Sequence, residues 1–304
     1  MQNMIESRNL IKDYSSKARA LNGVNISVQK GEIFGFIGPN GAGKTTFMKT
    51  LLDFTKPTSG EVLILGEKPS WKSRKYMGYL PERISIHTFL TAEEFLNYQA
   101  RLSGLPSGEI QSEIAICLEK VKLTEAGKKR IGSFSKGMLQ RLGFAQAIIS
   151  KPEILLLDEP NSGLDPIGIQ DLRGIILEEK KRGATVFLNS HQLLEVEKIC
   201  DRVAILNRGE VVAQGSRSEL TGLRGIEIEL ENSNEKIDQF LKELDSEMIQ
   251  KDGRYSLNTE NLDSEKERTI PARIVELGGK INLYSRRQES LEEIFQRVIK
   301  DQKV

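Results

Sequence analysis

Residues Gly38-Pro39-Asn40-Gly41-Ala42-Gly43-Lys44-Thr45 fit the pattern G-x-x-x-x-G-K-[ST], a loop that cradles phosphate. Its glycines let the backbone approach an anion closely and turn N–H groups toward it. Lys44 adds a point charge for the outer phosphates, and the Thr45 hydroxyl is a Mg²⁺ ligand. The flanking residues supply the context such a loop needs. Ile33-Phe34-Gly35-Phe36-Ile37 is a short, almost wholly apolar run, as in a buried parallel strand. Thr46 to Leu52 carries apolar residues at helical spacing. Strand, glycine loop and helix N-terminus in that order make an anion site, which points to nucleotide binding.

A length of 304 residues suits two domains. Lys and Arg total 44 against 43 Asp and Glu, so the chain carries no overall basic field for nucleic acid and is not an acidic disordered chain. Cys117 and Cys200 are the only cysteines, far apart and in helix-like patterns. They suggest neither a disulfide framework nor a metal cluster, and they suit a reducing compartment. No run of 18 apolar residues occurs, and Met1 to Glu6 lacks the blocks of a signal peptide. The expectation is a cytoplasmic protein that meets a membrane only through a partner.

Taken in order, residues 1–35 alternate as strands, with Tyr14 in a polar stretch between two of them. Tyr14 reads either as a surface tyrosine on an antiparallel sheet or as a ring that stacks on adenine. Pro57-Thr58-Ser59-Gly60 reads as a turn and Glu61 to Leu65 as a strand. Residues 91–130 are helical in pattern, opening on the capping box Thr91-Ala92-Glu93-Glu94. A second helix there places Ile110, Ile114, Cys117, Leu118 and Val121 on one face, with Cys117 in the core. The α/β pattern resumes at Ile154-Leu155-Leu156-Leu157, a buried strand from whose end Asp158 and Glu159 emerge. Ligands sit at such strand ends in open α/β sheets. Thr185 to Leu188 repeats the arrangement and ends in Asn189-Ser190-His191, followed by a helical stretch and a hairpin turning at Asn207-Arg208-Gly209.

Near Gly222 the character changes to a small α+β pattern. Ile226 to Leu230 alternates strictly, helices are expected over Glu235–Leu244 and about Arg268–Leu277, and Leu291, Ile294, Phe295 and Val298 mark a last amphipathic helix.

Hydrolysis of a phosphoanhydride needs a cradle, a metal, an activated water and charge stabilisation. Asp158 is the expected Mg²⁺ partner beside Thr45. Glu159 is the candidate base that polarises water, and His191, also at a strand end, can hold a γ-phosphate oxygen and the attacking water together.

These residues carry a resemblance. Phe134-Ser135-Lys136-Gly137-Met138-Leu139-Gln140-Arg141 resembles the signature motif of ATP-binding cassette (ABC) ATPases, just upstream of the Asp158-Glu159 strand as in that family. Ser162-Gly163-Leu164-Asp165 is similar to the D-loop, and Asn189-Ser190-His191 to the switch histidine. The resemblance covers about residues 4–220. It implies a P-loop NTPase core of the ABC type: a mixed sheet, an antiparallel β subdomain and an inserted helical lobe at about 84–150. That domain would span 1–221, and 222–304 would be a C-terminal α+β accessory domain.

The resemblance further implies ATP and Mg²⁺ as cofactors. ATP would be bound by Gly38 to Thr45, Thr46, the adenine-stacking Tyr14, Glu82, Ser135, Gly137 and Asp165. Thr45, Asp158 and Glu82 would hold the metal, and Lys44, Glu159 and His191 would act in hydrolysis. The family closes head to tail, so Ser135 and Gly137 would clamp the γ-phosphate held by a second ATP-binding subunit, and one copy of each motif implies a homodimer or a related second subunit. Lys136 and Met138 stand where the family usually has glycine and glutamine, and the form S-K-G-M resembles export-type members. Glu82, in Met77-Gly78-Tyr79-Leu80-Pro81-Glu82, replaces the usual glutamine, as in export-type relatives.

The implied function is the ATPase subunit of an exporter, peripheral on the cytoplasmic face of the membrane through a separate transmembrane permease. The helical lobe and the segment after Glu82 would receive the permease. The alternative is a soluble ABC ATPase acting on ribosomes or DNA. A single cassette, no heptad run and no basic face argue against it and against a nucleic-acid partner.

Overall fold

The alternating N-terminal residues form two long strands, β1 (Asn3–Ser15) and β2 (Ala18–Gln29), paired antiparallel. They are part of a computed structural model that describes residues 2–15, 18–220, 225–246, 248–251, 253–258, 264–287 and 290–301. The chain divides into two units, Met1–Arg217 and Ser218–Val304. Next come β3 (Ile33–Ile37), α1 (Lys44–Leu51), β4 (Ser59–Ile64) and β5 (Met77–Leu80). Three helices follow: α2 (Ala92–Leu102), α3 (Ile110–Lys120) and α4 (Lys136–Ile148). Then β6 (Ile154–Asp158), α5 (Pro166–Arg182), β7 (Thr185–Ser190) and α6 (Leu193–Ile199) lead to the hairpin β8 (Arg202–Asn207) and β9 (Glu210–Ser216). A single helical turn, α7 (Arg217–Leu220), comes after it.

Six of these strands form one sheet in the order β5-β6-β7-β3-β8-β9, parallel except for the antiparallel edge strand β9. Parallel strands are covered on both faces, and every residue of β3, β6 and β7 is buried. The antiparallel sheet β2-β1-β4 shares a core with it. Phe47, Met48 and Leu51 of α1 pack in that core with Leu10, Val24 and Val28 from one sheet and Phe34, Phe36 and Phe187 from the other. The Phe36 ring lies 4.9 Å from Phe47 and 5.4 Å from Phe187. Each such pair contributes about 0.5–1.5 kcal/mol beyond its buried area. The consequence is positional, because α1 is locked with its first residue, Lys44, just past the end of β3.

The helices α2 to α4 are inserted between β5 and β6. The capping box at Thr91 forms: Thr91 Oγ1 accepts from the Glu94 N–H at 3.2 Å, and the Thr91 N–H donates to Glu94 Oε2 at 2.8 Å. Cys117 is a core residue of α3, its thiol pushed up to about 12 chiefly by burial.

Several boundaries differ from the sequence expectation. The helix after the phosphate loop begins at Lys44 rather than Thr46, directly behind the left-handed Gly43 (φ 111°). Ser59 and Gly60 belong to β4 rather than to a turn. A Cβ at Gly60 would lie 2.1 Å from the Asn9 carbonyl, so glycine there permits an irregular register between β4 and β1. Tyr14 sits within β1 and not between strands, because the β1–β2 pairing extends out to Ser15 and Ala18. The helix α5 was not anticipated. Its marks are local: Asp165 caps it, Pro166 opens it, Leu172, Ile175, Ile176 and Glu179 face inward, and the left-handed Gly183 ends it.

In the second unit, β10 (Gly225–Asn232), α8 (Glu235–Leu244), β11 (Ile249–Lys251), β12 (Arg254–Asn258), α9 (Ser264–Glu276) and β13 (Lys280–Arg287) follow in turn, with α10 (Leu291–Asp301) last. The antiparallel order β11-β12-β10-β13 with this βαββαβ succession is the ferredoxin-like arrangement. Ile226, Ile228 and Leu230 bury one face of β10 against Ile237 and Leu241 of α8 and Ile270 and Ile274 of α9. The helix α9 starts before the expected Arg268 and contains Pro271. Proline has no N–H for the Glu267 carbonyl one turn back, and the Tyr284 hydroxyl donates to that carbonyl instead, at 3.1 Å. The boundary expected at 221/222 lies outside the described residues. Among the described residues, no helix is long and apolar enough to cross a membrane.

Two glycines test this packing. A Cβ at Gly78 in β5 would stand 1.9 Å from the Ala147 carbonyl of α4, whereas Gly174 in α5 faces open space. Gly78→Ala should cost about 2 kcal/mol or more, and Gly174→Ala should gain about 0.5–1 kcal/mol. Denaturant midpoints of both variants check the contrast; equal midpoints would mean the β5–α4 contact is misplaced.

Candidate nucleotide site

A cleft of about 570 Å³ opens at the C-terminal ends of the parallel strands. Asn40, Gly41, Gly43, Lys44, Thr45 and Thr46 line one side of it. Glu82 beyond β5, Asp158 and Glu159 at the end of β6, Ser162, Gly163 and Leu164 in the loop after it, and His191 after β7 are among the residues that line the rest. Gly38, Pro39 and Ala42 shape the loop from behind. A Cβ at Gly38 would lie 2.2 Å from the Leu206 carbonyl of β8, and one at Gly43 would lie 2.3 Å from the Ala20 carbonyl of β2. The Ala42 N–H donates to the Pro39 carbonyl at 3.2 Å, and the Ala42 carbonyl accepts from the Gly209 N–H at 2.9 Å.

Lys44 is 7% exposed, and its ammonium donates to the carbonyls of Gly38 at 2.7 Å and Pro39 at 3.0 Å. Burial pulls its pKa down, opposed by the negative charges of Glu159, Asp158 and Glu82. The charges of three carboxyl groups thus act on one ammonium. Asp158, 3% exposed, is pushed up to about 6, chiefly by burial, with Glu159 and Glu82 adding to the rise. The larger opposing effect is a hydrogen bond from Asn189 Nδ2 to Asp158 Oδ1, and the Lys44 charge opposes the rise as well. The oxygen of that amide, Asn189 Oδ1, is buried and has no hydrogen-bond partner among the described residues.

Glu159 has φ 49°, a left-handed conformation that is unusual for a residue with a side chain and costs about 1–3 kcal/mol. Its N–H is held by the Asn189 carbonyl at 2.9 Å, and its Oε2 lies 2.8 Å from His191 Nδ1. The imidazole is 62% exposed, so the pair presents an oriented carboxylate beside a reachable ring. A carboxylate in this position can accept a proton from water, and the imidazole can meet a phosphate oxygen.

Other expected residues are not among those lining the cleft, although Gly137 adjoins the lining residue Gly163. Ser135 caps α4, its Oγ accepting from the Met138 N–H at 3.3 Å. Gly137 lies beside the Gly163 carbonyl, where a Cβ would approach to 3.4 Å. Gln140, 4% exposed, donates to the Pro160 carbonyl at 2.8 Å and so ties α4 to the loop after β6. Asp165 is occupied as the cap of α5, accepting from the Gly168 N–H at 2.8 Å. Tyr14 stands on β1 next to α1, 57% exposed. Its phenol is pulled below the ordinary range, first by a hydrogen bond with the Thr46 side chain.

Sequence reasoning passed over Asn161, Gln192 and the role of Asn189. Asn161 Nδ2 donates to Gln192 Oε1 at 3.0 Å, which joins the loop after β6 to the one after β7. Asn189 had a signal: it ends an apolar strand, and parallel pairing of β6 with β7 sets it opposite Asp158.

The oxygen donors fit a hard cation. Among the described residues, no group of three His, Cys, Asp or Glu side chains is placed to hold a metal ion by itself. Magnesium commonly uses one or two carboxylates plus substrate phosphates, which a Thr45 hydroxyl, Asp158 and Glu82 can complement.

The model of the ABC transporter family matches residues 21–162. An uncharacterised ABC transporter ATP-binding protein of Synechocystis is 43% identical over 265 residues, 83% of this chain and 75% of that protein. The chain belongs to the ABC transporter ATP-binding proteins. The bacitracin transport ATP-binding protein BcrA of Bacillus licheniformis is 41% identical over 219 residues, 70% of each chain. A solved ATP-binding subunit of an ABC transporter superposes with a TM-score of 0.67 at 31% identity, covering 71% of this chain and 91% of that one. The fold is therefore an ABC ATPase nucleotide-binding domain, and the chain is an ATP-binding, ATP-hydrolysing subunit of a transporter.

The raised pKa of Asp158 has a testable sign. A carboxyl held near 6 in the fold and near 4 when unfolded stabilises the ligand-free fold at low pH, and that contribution is lost as pH rises through 6. Asp158→Asn removes the buried charge, and the new amide can also donate to the orphaned Asn189 Oδ1. The variant should gain on the order of 2 kcal/mol at pH 7.5. Thermal melts without ligand should show that gain shrinking toward pH 4.5; a gain independent of pH would contradict it.

Proposed function

We propose that two copies of this chain close head to tail over two ATP molecules and thereby drive export through a separate transmembrane permease. The observation that carries this reading is the division of the anion sites. The cleft gathers the phosphate loop, Asp158, Glu159 and His191, while the capped N-terminus of α4 with Ser135 and Gly137 lies outside its lining. A helix N-terminus with a hydroxyl and a glycine is a second place for phosphate, and a second copy can bring it to the γ-phosphate.

In each composite site, Lys44 and the loop N–H groups bind the phosphates, and Tyr14 stacks on the adenine. Thr45, Asp158 and Glu82 would hold Mg²⁺, which when bound would neutralise phosphate charge. Glu159 accepts the proton of the attacking water, His191 orients that water against the γ-phosphate, and Asp165 acts from the facing subunit's loop. Loss of the γ-phosphate removes charge-assisted contacts, roughly twice as strong as neutral ones, and the copies part. Export is favoured over import by relatives named for bacitracin and lantibiotic transport. The subunit would work at the cytoplasmic face of the membrane, held by the permease, with residues about 84–150 receiving it. Cargo choice would lie with the permease, and residues 222–304 would form an accessory domain.

Two variants separate binding from chemistry. Glu159→Gln should lower ATP turnover by about 10²-fold or more while ATP affinity persists. Lys44→Ala should lose affinity itself. Turnover and equilibrium nucleotide binding on the purified chain check both; near-normal turnover in Glu159→Gln would remove Glu159 from its role.

A further inference from the structure

Between β4 and β5 the chain makes a turn that the nucleotide cleft does not use. Lys68-Pro69-Ser70-Trp71-Lys72-Ser73-Arg74-Lys75 carries four cations in eight residues and no carboxylate. This local charge is invisible in the net charge of +1. Lys68, Lys72, Arg74 and Lys75 have no ion-pair partner among the described residues. Trp71, the only tryptophan of the chain, is 74% exposed, and Phe54, just past α1, is 59% exposed.

The turn is built rather than slack. Ser73 is buried; its Oγ donates to the Ser70 carbonyl at 2.8 Å and accepts from the Ser70 N–H at 3.0 Å. A 3₁₀ turn over Ser73–Tyr76 then leads into β5. Residues three apart eclipse in such a turn, so Lys72, itself in the right-handed helical region, and Lys75 fall on one side. Each ring has a cation over it: Arg74 Cζ is 5.1 Å from the Phe54 ring, Lys72 Nζ 5.8 Å from Trp71 and Lys75 Nζ 4.6 Å from Tyr76. The Arg74–Phe54 contact joins the turn and the end of α1 into one patch.

An exposed indole surrounded by unpaired lysine and arginine matches the chemistry of a membrane interface. There the ring settles at headgroup depth and the cations meet phosphate. We propose that this turn, together with Phe54, rests on a membrane surface rich in anionic lipid headgroups. A single turn is too short to follow a nucleic-acid backbone, which calls for a longer basic groove, and the relatives are transport proteins. The contact is separate from the ATP site, so it stands or falls independently of dimer closure.

The single tryptophan makes Trp71 its own reporter. The full chain, without any permease, is mixed with vesicles of phosphatidylcholine, or of phosphatidylcholine and phosphatidylglycerol in equal parts. Binding only to the anionic vesicles, with a blue-shifted Trp71 emission and release by high salt, is the expected result. Lys72→Glu combined with Lys75→Glu should weaken vesicle binding by at least about tenfold, and Trp71→Ser should weaken it too, both with ATP turnover unchanged. No binding to anionic vesicles, binding with an unshifted Trp71 spectrum, or binding that survives the charge reversals would overturn the proposal. So would a larger Trp71 shift with an oligothymidine strand than with the vesicles, which would reassign the patch to nucleic acid.

Discussion

The phosphate loop is wedged between two backbones. Gly38 runs against the Leu206 carbonyl of β8 and Gly43 against the Ala20 carbonyl of β2, closer than any side chain would permit. Glycine at these two positions is thus a requirement of the surrounding sheets as much as of the ligand. The aromatic contacts among Phe36, Phe47 and Phe187 complete the wedge by holding α1 in the core between those sheets. The loop N–H groups are consequently oriented by packing before any anion arrives, which is how preorganised electrostatic sites avoid reorganising when they bind.

The charges in the cleft are set against one another. Asp158, Glu159 and Glu82 face a single buried ammonium, and Asp158 is driven toward its neutral form by burial. A divalent cation with phosphate would satisfy both signs together, whereas either alone would leave an excess. The left-handed Glu159 belongs to the same economy of positions: its N–H is fixed by β7, and its carboxylate is held beside His191. Backbone strain at that residue marks a place where geometry is kept for chemistry.

Much of the cleft was legible because its parts are short and contiguous. Gly38–Thr45 and the Ile154–Asp158 strand with Glu159 behind it each contain their own reason in sequence order, as does the Ser135 helix start outside the cleft, and the resemblance ordered them. What escaped was non-local. Asn189 gains its meaning from the register of β6 against β7, and Asn161 from a partner beyond β7. The passage of α9 through Pro271 is accompanied by Tyr284, distant in sequence, taking the Glu267 carbonyl that the proline leaves free. The basic turn at 68–75 disappeared in a near-zero net charge, since averaging over 304 residues erases an eight-residue patch. The helix α5 is different, since its cap, proline and terminal glycine were all in view.

Two half-sites on one chain are the core of the account. In the proposed function one would hold phosphates; the other, at Ser135, is a helix cap tethered through Gln140 and is not among the residues lining the first cleft. The most direct measurement is the mass of the Glu159→Gln chain in solution, by sedimentation equilibrium with and without ATP and Mg²⁺. Composite sites predict one chain without nucleotide and two chains with it, and loss of the pair when Ser135→Arg is added. A single-chain mass at saturating ATP, or a pair indifferent to Ser135, would contradict the account.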